Sequence, residues 1–129
     1  MEVFAVTNDI KVSVYSEFSD HHSKSLLNQF VYHYHVSIEN LGMYPVKLLR
    51  RKWIITDATG IQRIVEGQGV LGLQPNLNPN EIHQYSSSCI LPTAFGQMRG
   101  HYIFERPLLA EEFFVGIPEF KLEVPFLLS

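Results

Sequence analysis

The stretch that decides the fold reads Phe30-Val31-Tyr32-His33-Tyr34-His35-Val36-Ser37-Ile38-Glu39. Its even positions are all aromatic or aliphatic, and its odd positions are polar except for Val31. Successive side chains of a β-strand point to opposite faces of the sheet, so this alternation predicts a strand with one buried face. The turn residues Asn40-Leu41-Gly42 end the strand.

Period-two patterning of this kind recurs along the chain and predicts further strands. Residues 46–57 are rich in strand-forming side chains and include the only tryptophan, but their alternation slips at Leu48-Leu49, which predicts a bulge or burial on both faces. Only residues 23–29 could form a helical turn, and they are too few for a stable helix alone. The other strand candidates are residues 10–14, 61–66, 81–89, 97–104, 113–117 and 120–124, with turn signals between them that include Asn78-Pro79-Asn80 and Pro118. We therefore predict a single all-β domain over residues 1–129, with two packed antiparallel sheets.

Length, composition and charge restrict the class of protein. A chain of 129 residues with 46% hydrophobic and 18% charged residues is typical of one globular domain. Ten lysines and arginines against thirteen acidic residues give a formal charge of −3, so no basic excess is available for general nucleic-acid binding. The single Cys89 excludes an intramolecular disulfide and a cysteine-based metal site. With no signal-peptide pattern after Met1 and no apolar run of about 18 residues, we expect a cytoplasmic protein that does not enter a membrane.

The run Gly67-Gln68-Gly69-Val70-Leu71-Gly72 matches the G-x-G-x-x-G pattern of dinucleotide-binding proteins. In those proteins the glycines open a helix whose N-terminal amides hold the pyrophosphate. Here Pro75 and Pro79 follow, which block a helix, so we predict turn or bulge residues of a β protein. One alternative stays open: if Arg50 and Lys52 are exposed beside this loop, they could form an anion pocket with its amides for a small anion or a nucleotide phosphate.

Several motifs together resemble the ApaG domain, also called CorD. They are the Trp53 segment, Val65-x-Gly67-x-Gly69-Val70-x-Gly72-x-Gln74-Pro75, and Gly96-x-Met98-x-Gly100-x-Tyr102, and the resemblance extends from about Val12 to Pro125. It implies an immunoglobulin-like, fibronectin type III-like β-sandwich with no established enzymatic activity. It also implies a loose genetic link to cobalt and magnesium homeostasis. Because similar domains occur in larger eukaryotic proteins such as F-box proteins, it further implies an interaction module.

The chain departs from the family pattern at two places. Asn80 replaces the glycine that usually follows Pro79, a mild change because asparagine tolerates the left-handed conformation. The loop at residues 106–112 lacks the glycine that is common in the last hairpin. The second departure leaves the shape of that loop open, whereas the predicted fold is unaffected.

Histidines on the strand of residues 30–39 suggest a divalent-cation site as a third hypothesis. His33 and His35 lie two apart, so their rings share a face, and a neighbouring strand could add a third ligand such as His101 or Glu39. The same face carries Ser37, which fits a solvated sheet surface equally well. We favour surface polar residues over a divalent-cation site.

The remaining candidates argue for binding rather than catalysis. Alternation places Arg51 on the side of Trp53, where stacking or a cross-sheet carboxylate would make its role structural. Cys89 in a strand is expected to be inert packing, and no paired acid–base carboxylates are evident. We therefore expect a protein without enzymatic activity or cofactor that binds another protein through a sheet face, edge or loop cluster, and self-association stays open. At the apolar C-terminus we expect Val124 and Phe126 to pack on the domain, with the last three residues left open.

Overall fold

The computed structural model describes residues 2–125, and most of them lie in β-strands. Two short 3-10 turns, Ser25–Leu27 and Pro107–Leu109, are the helical elements within this range. The strands of the described residues are β1 (Val3–Thr7), β2 (Ile10–Phe18), β3 (Phe30–Asn40), β4 (Val46–Asp57), β5 (Gln62–Gln68), β6 (Asn76–Leu77), β7 (Ile82–Leu91), β8 (Phe95–Arg106) and β9 (Glu111–Glu123).

The strands form two antiparallel sheets that pack face to face. The first sheet has the order β1-β2-β3-β7, and the second has the order β5-β4-β8-β9, with the short β6 also pairing with β4. Strand β9 packs against β1 and β2, which closes the sandwich along one side. The all-β prediction and the immunoglobulin-like, fibronectin type III-like sandwich are both confirmed.

The core lies between the sheets and follows the predicted alternation. On β3 the even residues Tyr32, Tyr34, Val36 and Ile38 are buried, while the odd residues from His33 onward are only half-buried. The opposite sheet contributes the buried Trp53, whose ring centroid lies 5.3 Å from that of Tyr34 in an edge-to-face contact. Burying side chains of this size stabilises the fold by about 1.5–3 kcal/mol each.

The glycine pattern of β8 has a packing cause. A Cβ added at Gly100 would lie 2.0 Å from the carbonyl oxygen of Lys52 on β4, so no side chain fits there. The β8–β9 pairing also shifts register between Met98 and Gly100. Met98 itself is buried in the core. Close approach of the β4 and β8 backbones therefore requires glycine at position 100, and the bulge in the β8–β9 pairing lies beside it.

Several predicted boundaries are confirmed and some are wrong. Residues 46–57 form one strand as predicted, with the register shift between Leu48 and Arg50. The strands predicted at 113–117 and 120–124 are instead one strand, β9, because Pro118 lies on an edge strand, where a missing amide is tolerated. The predicted helical turn is the 3-10 turn Ser25–Leu27. Strand β1 was not anticipated.

Both departures from the family glycine pattern adopt the backbone conformation that glycine favours. Asn80 has φ 70°, and Ala110, at the end of the 3-10 turn in the last hairpin, has φ 50°.

Val124 is buried as predicted, whereas Phe126 and the last three residues lie outside the described range. Within residues 2–125, no helix is long and apolar enough to cross a membrane.

Candidate functional site

A cleft of about 570 Å³ opens between the sheets on the side that β9 does not close. It lies where the edge strands β5 and β7 face each other. Its floor is formed by buried side chains of both sheets, namely Tyr34, Trp53, Tyr85, Cys89 and Met98. Its rim includes Arg51, Arg63, Val65, Leu71 and Ile90. The cleft is therefore an opening into the sandwich core, bordered by both cationic and apolar groups.

Strand β5 positions the rim because its side chains alternate. Arg63, Val65 and Gly67 line the cleft, and their partners on β4 are Ile55, Trp53 and Arg51, whose side chains share that face. All residues of β5 except Gly67 are exposed, and within the described chain β4 is the only strand that pairs with β5. Strand β5 is thus an open edge above the cleft.

Arg51 holds the loop that follows β5. Its Nη1 donates hydrogen bonds to the carbonyl oxygens of Gln68 at 3.2 Å and Gly69 at 2.9 Å. The guanidinium lies over Gly67, where an added Cβ would be 2.9 Å from Nη1. The prediction that Arg51 lies on the Trp53 side is confirmed, but its partners among the described residues are loop carbonyls, neither a carboxylate nor the indole ring.

Arg63 spans the mouth of the cleft from β5 to β7. Its Nη2 donates to the carbonyl oxygen of Ile90 at 3.2 Å and lies 3.7 Å from the Sγ of Cys89. Burial raises the pKa of the Cys89 thiol, and the positive charge of Arg63 lowers it only in part. The thiol is therefore protonated at neutral pH, and the prediction that Cys89 is packed in a strand is confirmed.

Buried phenols supply further polar groups behind the arginines. Tyr85 and Tyr102 share a hydrogen bond between their hydroxyl groups. Burial raises the pKa of both, and burial also raises the pKa of Tyr34, which a hydrogen bond with Ser87 lowers in part. These groups remain neutral hydrogen-bonding hydroxyls at physiological pH.

The Gly67–Gly72 loop is a tight turn, as predicted. Val70 and Leu73 exchange backbone hydrogen bonds of 2.8 and 2.9 Å, and the two residues between them, Leu71 and Gly72, have φ 49° and 77°. Positive φ at both central positions is the geometry of a type I′ hairpin turn. The amide of Gly69 is also occupied, donating to Leu49 at 2.8 Å. No helix follows within the described residues, so this loop is not built like a dinucleotide-binding turn.

The predicted grouping of Arg50 and Lys52 with this loop needs correction. Arg50 forms a 3.1 Å ion pair with Glu112 on β9, and Lys52 shares its outer face of the sheet, beside His101. Burial lowers the pKa of His101, and the charge of Lys52 lowers it further. Strand alternation turns Arg51 to the cleft and its two neighbours away from it. The cation of this run that meets the loop is therefore Arg51.

The histidine pair is also arranged differently from a metal site. His33 and His35 lie on the outer face of the first sheet, where their Nδ1 atoms pair with Ser88 Oγ at 2.8 Å and Ser86 Oγ at 2.6 Å. His101 is on β8 of the other sheet, so the third ligand proposed from the sequence cannot reach them.

The second ring nitrogen of His35 also has a partner on this sheet, on strand β2. The Nε2 of His35 lies 2.7 Å from Oε1 of Glu17. Glu39, the other third ligand considered, is on the same strand as the pair. Among residues 2–125, no group of three or more His, Cys, Asp or Glu side chains is placed to hold a metal ion.

Sequence reasoning did not find Arg63 as a site residue. The signal was present, because Arg63 shares the period-two face of Val65 and Gly67 within the predicted hairpin of residues 46–66. What the sequence does not show is that β7, distant along the chain, lies across the cleft from this face.

The chain is similar in sequence to known proteins over most of its length. The family model of the ApaG domain matches residues 20–106, which is more than half of the sequence. The chain belongs to the ApaG family. Protein ApaG of Vibrio campbellii is 39% identical over 123 residues, covering 93% of this chain and 94% of the relative. Protein ApaG of Mesorhizobium japonicum is 41% identical over 121 residues, covering 94% and 92%.

Solved structures extend the ApaG likeness to three dimensions. The crystal structure of the putative ApaA protein from Bordetella pertussis superimposes with a TM-score of 0.88 at 40% identity, covering 91% of this chain and 94% of that one. A second solved structure, from a structural genomics consortium, also gives a TM-score of 0.88, at 38% identity and 97% coverage of this chain. The resemblance that the sequence motifs suggested is therefore confirmed.

Proposed function

We propose that this ApaG domain is a non-catalytic binding module that takes an extended segment of another protein along the free edge of β5, above the cleft. The observation that carries the proposal is an exposed edge strand with outward backbone groups and an open, partly apolar cleft beneath it. Strand addition to such an edge is a common mode of peptide recognition, in which main-chain hydrogen bonds give affinity and side-chain pockets give specificity.

The backbone groups available on β5 follow from its pairing with β4. The amide of Gly69 donates to Leu49 at one end of this ladder, and the amide of Asp57 donates to Ile61 at the other. Antiparallel residues alternate between those that bond the partner strand and those that point away from it. The outward residues of β5 are therefore Gln62, Ile64, Glu66 and Gln68.

Apolar side chains around this edge favour a protein partner over a purely solvated surface. Ile64 is 55% exposed, Leu71 is 61% exposed, and Ile90, across the cleft on β7, is 53% exposed. Natural proteins usually protect a free edge with proline, a bulge or a covering loop. Strand β5 contains no proline, and its register with β4 is regular throughout.

The groups in the cleft support binding rather than catalysis. None of the described residues that line it is Asp, Glu or His, so no ordinary general base faces the cleft. Its one thiol, on Cys89, is buried and has a raised pKa, which disfavours the nucleophilic thiolate.

A random peptide display library panned on the immobilised protein tests the proposal. We expect binders whose affinity is lost in Ile64→Pro, because proline removes an outward amide while its ring is compatible with an edge strand. The control Ile64→Thr keeps that amide and a β-branched side chain, so it should retain most of the affinity. Both variants should keep a cooperative thermal transition. A library that yields no binder, or binders indifferent to Ile64→Pro, would overturn the proposal.

A further inference from the structure

We infer that the segment bound by this ApaG domain is acidic, with carboxylates four residues apart that meet Arg51 and Arg63. The inference rests on the proposed function, and it adds the chemistry and spacing of the partner. The charged residues that line the cleft, Arg51 and Arg63, are both cationic, in contrast with the net charge of −3 on the whole chain.

Both arginines are held in place by neutral groups and keep unused donors. Arg51 bonds two carbonyl oxygens through Nη1, and Arg63 bonds a carbonyl oxygen and a sulfur through Nη2. Within residues 2–125, neither forms an ion pair, whereas Arg50 and Arg106 each have a glutamate partner. The Nε and the second Nη of each cleft arginine have no protein acceptor in this range and remain available as charge-assisted donors.

Preorganisation makes these arginines suited to recognition. A guanidinium that is already anchored loses less side-chain entropy when it binds a carboxylate than a freely rotating one. The cleft surface next to them is lined by Val65, Trp53 and Tyr34, which limits hydration of the pair that forms. An anionic group is therefore the complement of this surface.

The spacing follows from the register of β5. The Arg51 guanidinium, from β4, lies over Gly67 of β5, and Arg63 stands four residues before Gly67 on β5. The two cationic groups therefore correspond to β5 positions roughly 13 Å apart along the edge. A strand added to β5 runs parallel to this axis with a similar rise per residue. Its side chains at i and i+4 point to the cleft face, whereas those at i and i+3 point to opposite faces.

Peptides selected from the library provide the test, with synthetic versions that carry two glutamates at i and i+4 or at i and i+3. We expect enrichment of Asp and Glu at the four-residue spacing and tighter binding of the i and i+4 peptide by fluorescence anisotropy. Arg63→Gln should weaken that binding by about 10- to 100-fold, as expected for the loss of one charge-assisted hydrogen-bonded pair. Arg51→Lys should weaken it as well, because lysine lacks the planar fork. Binding should also weaken as salt is raised.

Arg99→Gln is the matched control, since Arg99 is an exposed arginine of the same sheet outside the cleft. It should leave the affinity unchanged. Binders that are sensitive to Ile64→Pro but show no acidic preference and no effect of Arg63→Gln would overturn this inference and leave the proposed function standing. Failure to select any peptide would overturn both. Binding of pyrophosphate alone, detected as a thermal shift without any peptide binding, would overturn both in favour of a small-anion site.

Discussion

The Nη1 of Arg51 donates to the carbonyl oxygen of Gly69 at 2.9 Å, so a residue in the middle of β4 fixes the turn that follows β5. Three features of the Gly67–Gly72 run accompany this contact. Gly67 leaves room for the guanidinium, Gly69 turns the chain with φ 62°, and the loop carbonyls point to the arginine rather than to solvent. The glycines of the Gly67–Gly72 run thus shape one end of the cleft.

Replacement of Gly69 tests the packing of this turn. A Cβ at Gly69 would lie 2.1 Å from the carbonyl oxygen of Leu73, in addition to the cost of a positive φ, so Gly69→Ala should lower the free energy of unfolding by at least about 2 kcal/mol. Gly72→Ala is the control, because Gly72 has φ 77° but open space around its Cα, and it should cost only about 1 kcal/mol. Urea unfolding of both variants measures the difference. Equal losses would contradict a steric role for Gly69.

Ala110 offers a stabilising substitution. It adopts φ 50° at the end of the 3-10 turn in the last hairpin, a conformation that costs a residue with a Cβ about 1 kcal/mol relative to glycine. Ala110→Gly should therefore raise the unfolding free energy by up to about 1 kcal/mol. The control Ala58→Gly, at an exposed turn residue without positive φ, should lower it slightly. A loss of stability in Ala110→Gly would contradict this explanation.

Tyr32 makes stability fall at alkaline pH. Burial raises the pKa of its phenol from 10.0 to about 12, and the nearby Cys89 and Glu123 add to the shift. Between these values the folded state retains a proton that the unfolded state releases. The stabilisation that the buried Tyr32 phenol contributes is complete below about pH 10 and is lost as the pH rises towards about 12. We expect the unfolding free energy to fall across this window, with a smaller slope in Tyr32→Phe. A flat profile would contradict burial of a neutral phenol.

Cys89 should be unreactive while the domain is folded. Its thiol is buried at the floor of the cleft with a raised pKa, so modification by a thiol reagent requires opening of the structure. We expect the native reaction at neutral pH to be at least about 100-fold slower than the reaction in concentrated urea. Rapid modification of the native protein would show that the cleft floor is accessible to reagents.

The fold could be predicted from the sequence better than the site. The fold follows from local patterns within each strand, whereas the site depends on contacts between strands that are far apart in the sequence. The burial of Tyr32 and Tyr34 is local information, since period-two alternation reports the face of a strand directly. Pro118 led to the wrong prediction of two separate strands in place of β9, because a proline on an edge strand resembles a turn signal until the neighbouring strands are known.

The cleft depends on contacts between strands that are far apart in sequence. Alternation correctly separated Arg51 from its two neighbours, but it could not show that the Arg51 guanidinium would cross Gly67 to a loop carbonyl. The position of Arg63 beside Ile90 requires knowledge that β5 and β7 are opposed edges of different sheets. Similarly, the distance between His35 and His101 is set by their assignment to different sheets, which alternation does not determine.

Amide hydrogen exchange on β5 tests the central claim most directly. With a peptide selected as above, we expect slower exchange at the outward amides of Gln62, Ile64, Glu66 and Gln68, because the added strand accepts their hydrogen bonds. The alternate amides of Arg63, Val65 and Gly67 already bond to β4 and serve as internal controls with little change. Strand addition to β5 predicts protection of the four outward amides when the peptide binds. Unchanged exchange along β5, with protection appearing instead on β1 or on the outer face of the first sheet, would contradict it.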